Sequence, residues 1–269
     1  MKKLVLILGI LLCACGINDN QISKIPQETP YLDQESIQMI TDLLFVPDVA
    51  FTQEHGTALQ IMGNMMFLHD MFGNDSYLTV QNKPTAERLI ISGGINPKYK
   101  NNNAETQFVK ASYTMGGKYD WNDVLTMPES VIINNRLEKS SNNLWQKPLL
   151  ETESTNTKEN IVNVQKMGGY DGVEQLRIFT TAENSLRAIA TARKQLPEMK
   201  DIASVSYIAT VPALGLRCDR KNWAKHPLIQ QYVYGELLRV IKYSKTGDIK
   251  LTDSEQQKLK NIVRKLDLD

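Results

Sequence analysis

The residues best suited to chemistry are Glu153-Ser154-Thr155-Asn156-Thr157-Lys158-Glu159-Asn160, a polar stretch almost free of apolar atoms. Asn156 and Glu159 have the spacing of a capping box, which predicts a helix starting at Thr157. A helix start leaves backbone N–H groups without intrahelical acceptors, and the Ser and Thr hydroxyls add donors beside them. Such a cluster suits an anion, a phosphate or a carboxylate. Glu105 and Glu153 are the carboxylates to consider for acid–base work, or for holding a ribose hydroxyl or a divalent metal. Each also fits a plainer role as a helix-start carboxylate favoured by the dipole.

Further candidates close apolar runs: Gly63-Asn64, Ser92-Gly93-Gly94 and Thr180-Thr181. In an open parallel sheet, ligands bind outside the carboxyl ends of the strands. Gly93-Gly94 lets the backbone approach a ligand closely, because neither residue carries a Cβ. Asn64 donates and accepts through one amide. Arg187, one turn into a helix after the fourth strand, offers a guanidinium for a phosphate or carboxylate.

The elements that must position these residues alternate. Apolar runs at 57–62, 88–91, 130–133, 175–179 and 203–209 read as short strands. Helical spacing recurs at 31–44, 65–72, 105–113, 185–196, 228–243 and 254–266, with Asp33 as a cap and Thr252-x-x-Glu255 as a capping box. Strands separated by helices predict βαβ units, hence a Rossmann-like α/β three-layer sandwich. Its sheet is mostly parallel with about five strands, flanked by extra N- and C-terminal helices. The stretches 73–84 and 138–150 are polar and Asn-rich and read as insertions over the sheet's edge or the site.

The start of the chain carries a different signal. Lys2-Lys3, an apolar run from Leu4 to Leu12 and then Cys13-Ala14-Cys15-Gly16 have the parts of a secretory signal, and the run is too short to span a bilayer. Leu12-Cys13-Ala14-Cys15 resembles the bacterial lipobox, in which the last Cys is lipidated and becomes the new N-terminus. The expected organisation is a signal peptide over 1–14, lipidated Cys15 and a tether over 15–30, and one domain over 31–269. The lipid would hold the domain on a membrane outside the cytoplasm. With Cys13 removed and Cys15 lipidated, Cys218 has no disulfide partner and reads as a small buried residue.

Charge excludes some functions. The chain has 31 basic and 30 acidic residues, and loss of Lys2 and Lys3 turns the net charge from +1 to −1. No basic excess points to nucleic acid. His55, His69 and His226 share no motif, and there is no Cys/His metal spacing, phosphate-binding Gly loop or Gly-x-Ser-x-Gly elbow. No metal site is expected.

The series Ile91-Ser92-Gly93-Gly94, Glu105, Glu153 to Asn160 and Arg187 resembles the bacterial YdcF/SanA/ElyC family of envelope-associated domains. Gly63-Asn64 and Gly235-Glu236-Leu237-Leu238-Arg239 are similar to the YdcF branch, and the likeness spans about 57–248. The resemblance implies a Rossmann-like domain and a pocket for an acidic or nucleotide-like ligand. In the YdcF branch it implies S-adenosylmethionine; in the other branches, roles in envelope integrity and cell-wall precursor metabolism. Many members carry a His ahead of the Arg of the fourth βα loop, where this chain has Glu183-Asn184-Ser185-Leu186-Arg187. The ligand-binding set expected is Gly63, Asn64, Ser92, Gly93, Gly94, Ser154, Thr155, Asn156, Thr157, Asn160, Thr181 and Arg187. Three readings follow: an envelope lipoprotein binding a small anionic or nucleotide-like ligand, a phosphatase or transferase of phosphorylated envelope precursors, and a non-catalytic partner-binding lipoprotein.

Overall fold

Strand β1 (Thr57–Met62) is buried at every position, as a central strand covered on both faces must be. It pairs in parallel with β2 (Arg88–Ser92) on one side and β4 (Gln175–Thr181) on the other. Beyond these lie β3 (Leu149–Glu151) and β5 (Asp201–Tyr207), so the five-stranded parallel sheet has the order β3-β2-β1-β4-β5. The computed structural model describes residues 30–48, 56–63, 86–100, 106, 121–140, 147–211 and 216–268.

Alternation along the strands sorts side chains to two faces. Ala58, Met62, Ile90, Leu176 and Ile178 face one way, packing with Ile161 and Val164 of α4 (Thr157–Lys166) and Ala188 and Ala192 of α5 (Ser185–Gln195). Leu59, Ile61, Leu89, Ile91 and Phe179 face the other way, into the larger core. That core is completed by α1 (Gln34–Leu44), α3 (Glu129–Ser140), α6 (Pro227–Lys245) and α7 (Asp253–Leu266). The short α2 (Trp121–Thr126) adds Val124. The chain is thus a Rossmann-like α/β sandwich. A separate hairpin, β6 (Ala209–Val211) with β7 (Leu216–Cys218), is antiparallel.

The terminal helices start as their sequences dictate. Asp33 accepts from the Ser36 N–H at 2.8 Å, and Thr252 and Glu255 form the reciprocal capping box. Some expectations fail. The run 130–133 is helical, within α3, because a four-residue apolar run fits a strand or a buried helix turn equally well. Here the N–H groups of Glu129 and Ser130 bond the carbonyls of Gly94 and Gly93, which starts a helix rather than extending a ladder. The stretch 138–150 is not only an insertion, since it ends in edge strand β3. The expected strand 203–209 divides at Ile208 into β5 and β6. Expected helices 65–72 and 105–113 and the insertion 73–84 fall on residues outside those described, except Thr106.

Candidate functional site

The loops at the carboxyl ends of β1, β2, β3 and β4 meet around a polar cavity of about 70 Å³. Glu151, the last residue of β3, joins two of these loops. Its buried carboxylate accepts from the N–H groups of Glu153 (2.7 Å), Ser154 (2.8 Å) and Gly93 (3.3 Å), from the Ser154 hydroxyl (2.5 Å) and from Asn163 Nδ2 (3.2 Å). The Ser154 hydroxyl also contacts Asn160 Oδ1. Gly94 then packs backbone to backbone, its N–H 2.7 Å from the Ser154 carbonyl. A Cβ there would fall 2.6 to 2.8 Å from backbone atoms of Thr152, Glu153 and Ser154, so only glycine fits.

Helix α4 begins where the sequence placed it. Asn156 Oδ1 accepts from the Glu159 N–H at 3.0 Å. Glu159 does not close a capping box on Asn156, however. It accepts from the N–H and hydroxyl of Thr155 at 2.7 and 2.8 Å, and that N–H holds its carboxyl below the usual range. Beneath the helix start, Gln60 is fully buried in β1. Its Nε2 donates to Ser92 Oγ (2.8 Å) and the Asn160 carbonyl (3.1 Å), and its Oε1 accepts from Tyr170 (2.5 Å). Burial pushes the Tyr170 hydroxyl well up, so it stays a donor.

Arg187 reaches the cavity wall but arrives already matched. Its Nε and Nη2 form a bidentate pair with Glu236 of α6, and its Nη1 donates to Thr157 Oγ1. Glu236 is buried and also accepts from Arg239 at 3.0 Å. Burial raises its carboxyl, Arg187 and Arg239 more than offset that, and the net shift is downward. Asn184, in the 3₁₀ turn Ala182–Asn184 after β4, is 8% exposed. Its Nδ2 donates to Thr180 at 3.0 Å, while its buried Oδ1 has no donor among the described residues. A buried acceptor without a donor is costly, and a donor on a bound molecule would satisfy it.

Eight expected residues therefore share one cavity: Gly63, Gly93, Ser154, Thr155, Asn156, Thr157, Asn160 and Arg187. Ser92 and Thr181 are fully buried below it, and Gly94 serves as packing. Glu153 is exposed and outside the lining; the carboxylate in the wall is Glu129 of α3. Asn64, Glu105, Cys15, His55 and His69 lie outside the described residues. Asn184, Glu129 and Tyr243 escaped sequence reasoning, although Asn184 immediately precedes α5, a position that invites a cap. Cys218 is buried, as expected, 3.5 Å from Glu183. Among the described residues, no group of His, Cys, Asp and Glu could hold a metal ion, and no helix is long and apolar enough to cross a membrane.

No family model matches the chain, and no curated protein matches it either.

Proposed function

We propose that this chain is a YdcF-like, lipid-anchored envelope protein whose domain binds a small nucleotide-like molecule, with S-adenosylmethionine the first candidate. One observation carries the reading: the cavity sits at the carboxyl ends of the strands where the order β3-β2-β1-β4-β5 reverses direction. That crevice is where doubly wound sheets take nucleotides.

The local chemistry favours a molecule with hydrogen-bond donors over a bare anion. Arg187 is neutralised by Glu236, Glu129 adds a carboxylate, and the Asn184 Oδ1 lacks a donor among the described residues. Ribose hydroxyls and an ammonium group supply donors; a phosphate dianion supplies none. The same pairing counts against the phosphatase or transferase reading in so far as it takes Arg187 away as a phosphate clamp.

The test is a thermal-shift panel on the purified full-length chain with S-adenosylmethionine, nucleotides, inorganic phosphate and a short polyprenyl phosphate. A compound at 100 times its Kd adds about 2.7 kcal/mol of stability. Stabilisation by S-adenosylmethionine, lost in Asn184→Ala and Asn156→Ala, supports the reading. Stabilisation by phosphate compounds alone favours an enzyme of envelope precursors. Silence across the panel favours the partner-binding lipoprotein. The anchor is tested separately: Cys15→Ser should move the protein out of the membrane fraction.

A further inference from the structure

A second depression of about 590 Å³ adjoins the cavity, and the two share Thr155, Asn156, Thr157 and Tyr243 as lining. One wall is the face of α4 that carries Lys158, Val162 and Lys166. The opposite wall is Tyr243 near the end of α6, followed by Asp248 and Ile249 on the way to α7. Pro97, exposed at the start of the 3₁₀ turn Pro97–Lys100, also lines it. Lys158 Nζ lies 2.9 Å from Asp248 Oδ1, so an ion pair ties the two walls together.

The volumes divide the labour. The 70 Å³ cavity is too small for a nucleoside, since pockets for small molecules run to about 300–1,000 Å³. The groove falls within that range, and its surface differs in kind. Tyr243, Val162, Ile249 and Pro97 present apolar and aromatic area, while Asn163, Lys166 and Asp248 offer polar groups along the same trough. Charged and amide groups interrupt the apolar surface, which suits a flat heteroaromatic ring better than an acyl chain.

Resting on the nucleotide-like reading above, we propose that this groove is the base subsite. A purine-sized heteroaromatic group lies between the Val162 face of α4 and Tyr243. The hydroxyl- or ammonium-bearing end of the same molecule enters the cavity toward Asn184. Tyr243 and the Thr155 to Thr157 turn form the junction between the two parts.

Val162 lines only the groove and Asn184 only the cavity, so one variant of each separates the subsites. Binding of S-adenosylmethionine, adenosine and L-methionine is measured by calorimetry on the full-length chain, Val162→Trp, Val162→Glu and Asn184→Ala. Val162→Thr controls for the local backbone. Both groove-filling variants should weaken S-adenosylmethionine and adenosine at least tenfold, with an unchanged circular dichroism spectrum and full binding in Val162→Thr. If Asn184→Ala weakens S-adenosylmethionine but neither groove variant does, the base subsite is wrong and the nucleotide-like reading stands. If adenosine binds and S-adenosylmethionine does not, sensitivity to Val162→Trp keeps the subsite and overturns the first-named molecule. Absence of binding by both nucleosides overturns the two together.

Discussion

Arg187 of α5 and Glu236 of α6 form a bidentate ion pair whose side chains are 12% and 2% exposed, joining two helices across 49 positions of sequence. The pair makes Arg187 a brace between the start of α4 and α6, because its third contact is Thr157 at that helix start. Removing one partner of a buried pair leaves the other charge uncompensated, at about 3–5 kcal/mol. Arg187→Met leaves Glu236 with Arg239 alone, so it should cost less than that, about 1–3 kcal/mol, while Arg187→Met combined with Glu236→Leu should recover part of it. Urea denaturation of the two singles and the double closes the cycle. The lowered Glu236 carboxyl also sets a pH slope: its stabilisation is present above the unfolded value of about 4.3 and is lost as pH falls through the lower folded value. Glu236→Gln should flatten that acid limb.

Glu183 has the opposite sign. It is fully buried beside the cavity wall, accepting from Tyr232 at 2.8 Å and from the Cys218 thiol at 3.5 Å. Burial pushes its carboxyl above the ordinary range, so the folded state keeps its proton to higher pH than the unfolded chain does. The resulting stabilisation is complete below the unfolded value of about 4.3 and is lost as pH rises through the folded value. Glu183→Gln, which stays neutral, should remove that loss. Urea midpoints from pH 5 to 8.5 should fall less steeply in the variant than in the parent chain.

The sheet was legible because buried parallel strands are short apolar runs, and 57–62 is reproduced residue for residue by β1. Edge strand β3 was not, since three residues inside a polar stretch carry no period. The start of α4 was legible because its cap is local: Asn156 bonds an N–H three residues on. Glu129 and Tyr243 were not, because each enters the site through packing of an element distant in sequence; Asn184 stands three residues before Arg187, where its amide reads as a helix cap and not as a cavity group. Arg187 lines the cavity, but its partner lies on α6, and no local pattern announces a pairing at that separation.

Gly94 and Gly172 should respond differently to alanine. Gly172 has φ +72° and open space around it, so Gly172→Ala incurs only the left-handed backbone cost of about 1–2 kcal/mol. Gly94 is hemmed by backbone atoms of the Thr152 to Ser154 segment, which have no rotamer to change. Gly94→Ala must push that segment away, at about 1–3 kcal/mol or more. Because the same segment carries Ser154 into the cavity, binding of S-adenosylmethionine should fall as well, and Gly172→Ala should leave it intact. Thermal midpoints and calorimetry on both variants check the contrast.

Glu151 and Glu153, two residues apart, should separate as sharply. The Glu151 carboxylate receives five donors, three of them backbone N–H groups from the loops after β2 and β3. In Glu151→Gln the amide keeps its oxygen toward the Glu153 and Ser154 N–H groups and turns its NH₂ toward Ser154 Oγ, while the Gly93 N–H keeps the Glu151 backbone carbonyl. The bonds to the carboxylate lose their charge assistance, at about 1 kcal/mol, and the turn that leads into α4 loosens. The Glu153 side chain is exposed, so Glu153→Gln should stay within about 0.5 kcal/mol of the parent. Urea midpoints give the stability difference, and amide exchange across 153–157 reports the turn directly. Faster exchange in Glu151→Gln alone identifies Glu151 as the positioning residue for this site, whereas equal protection in both variants would remove it from that role.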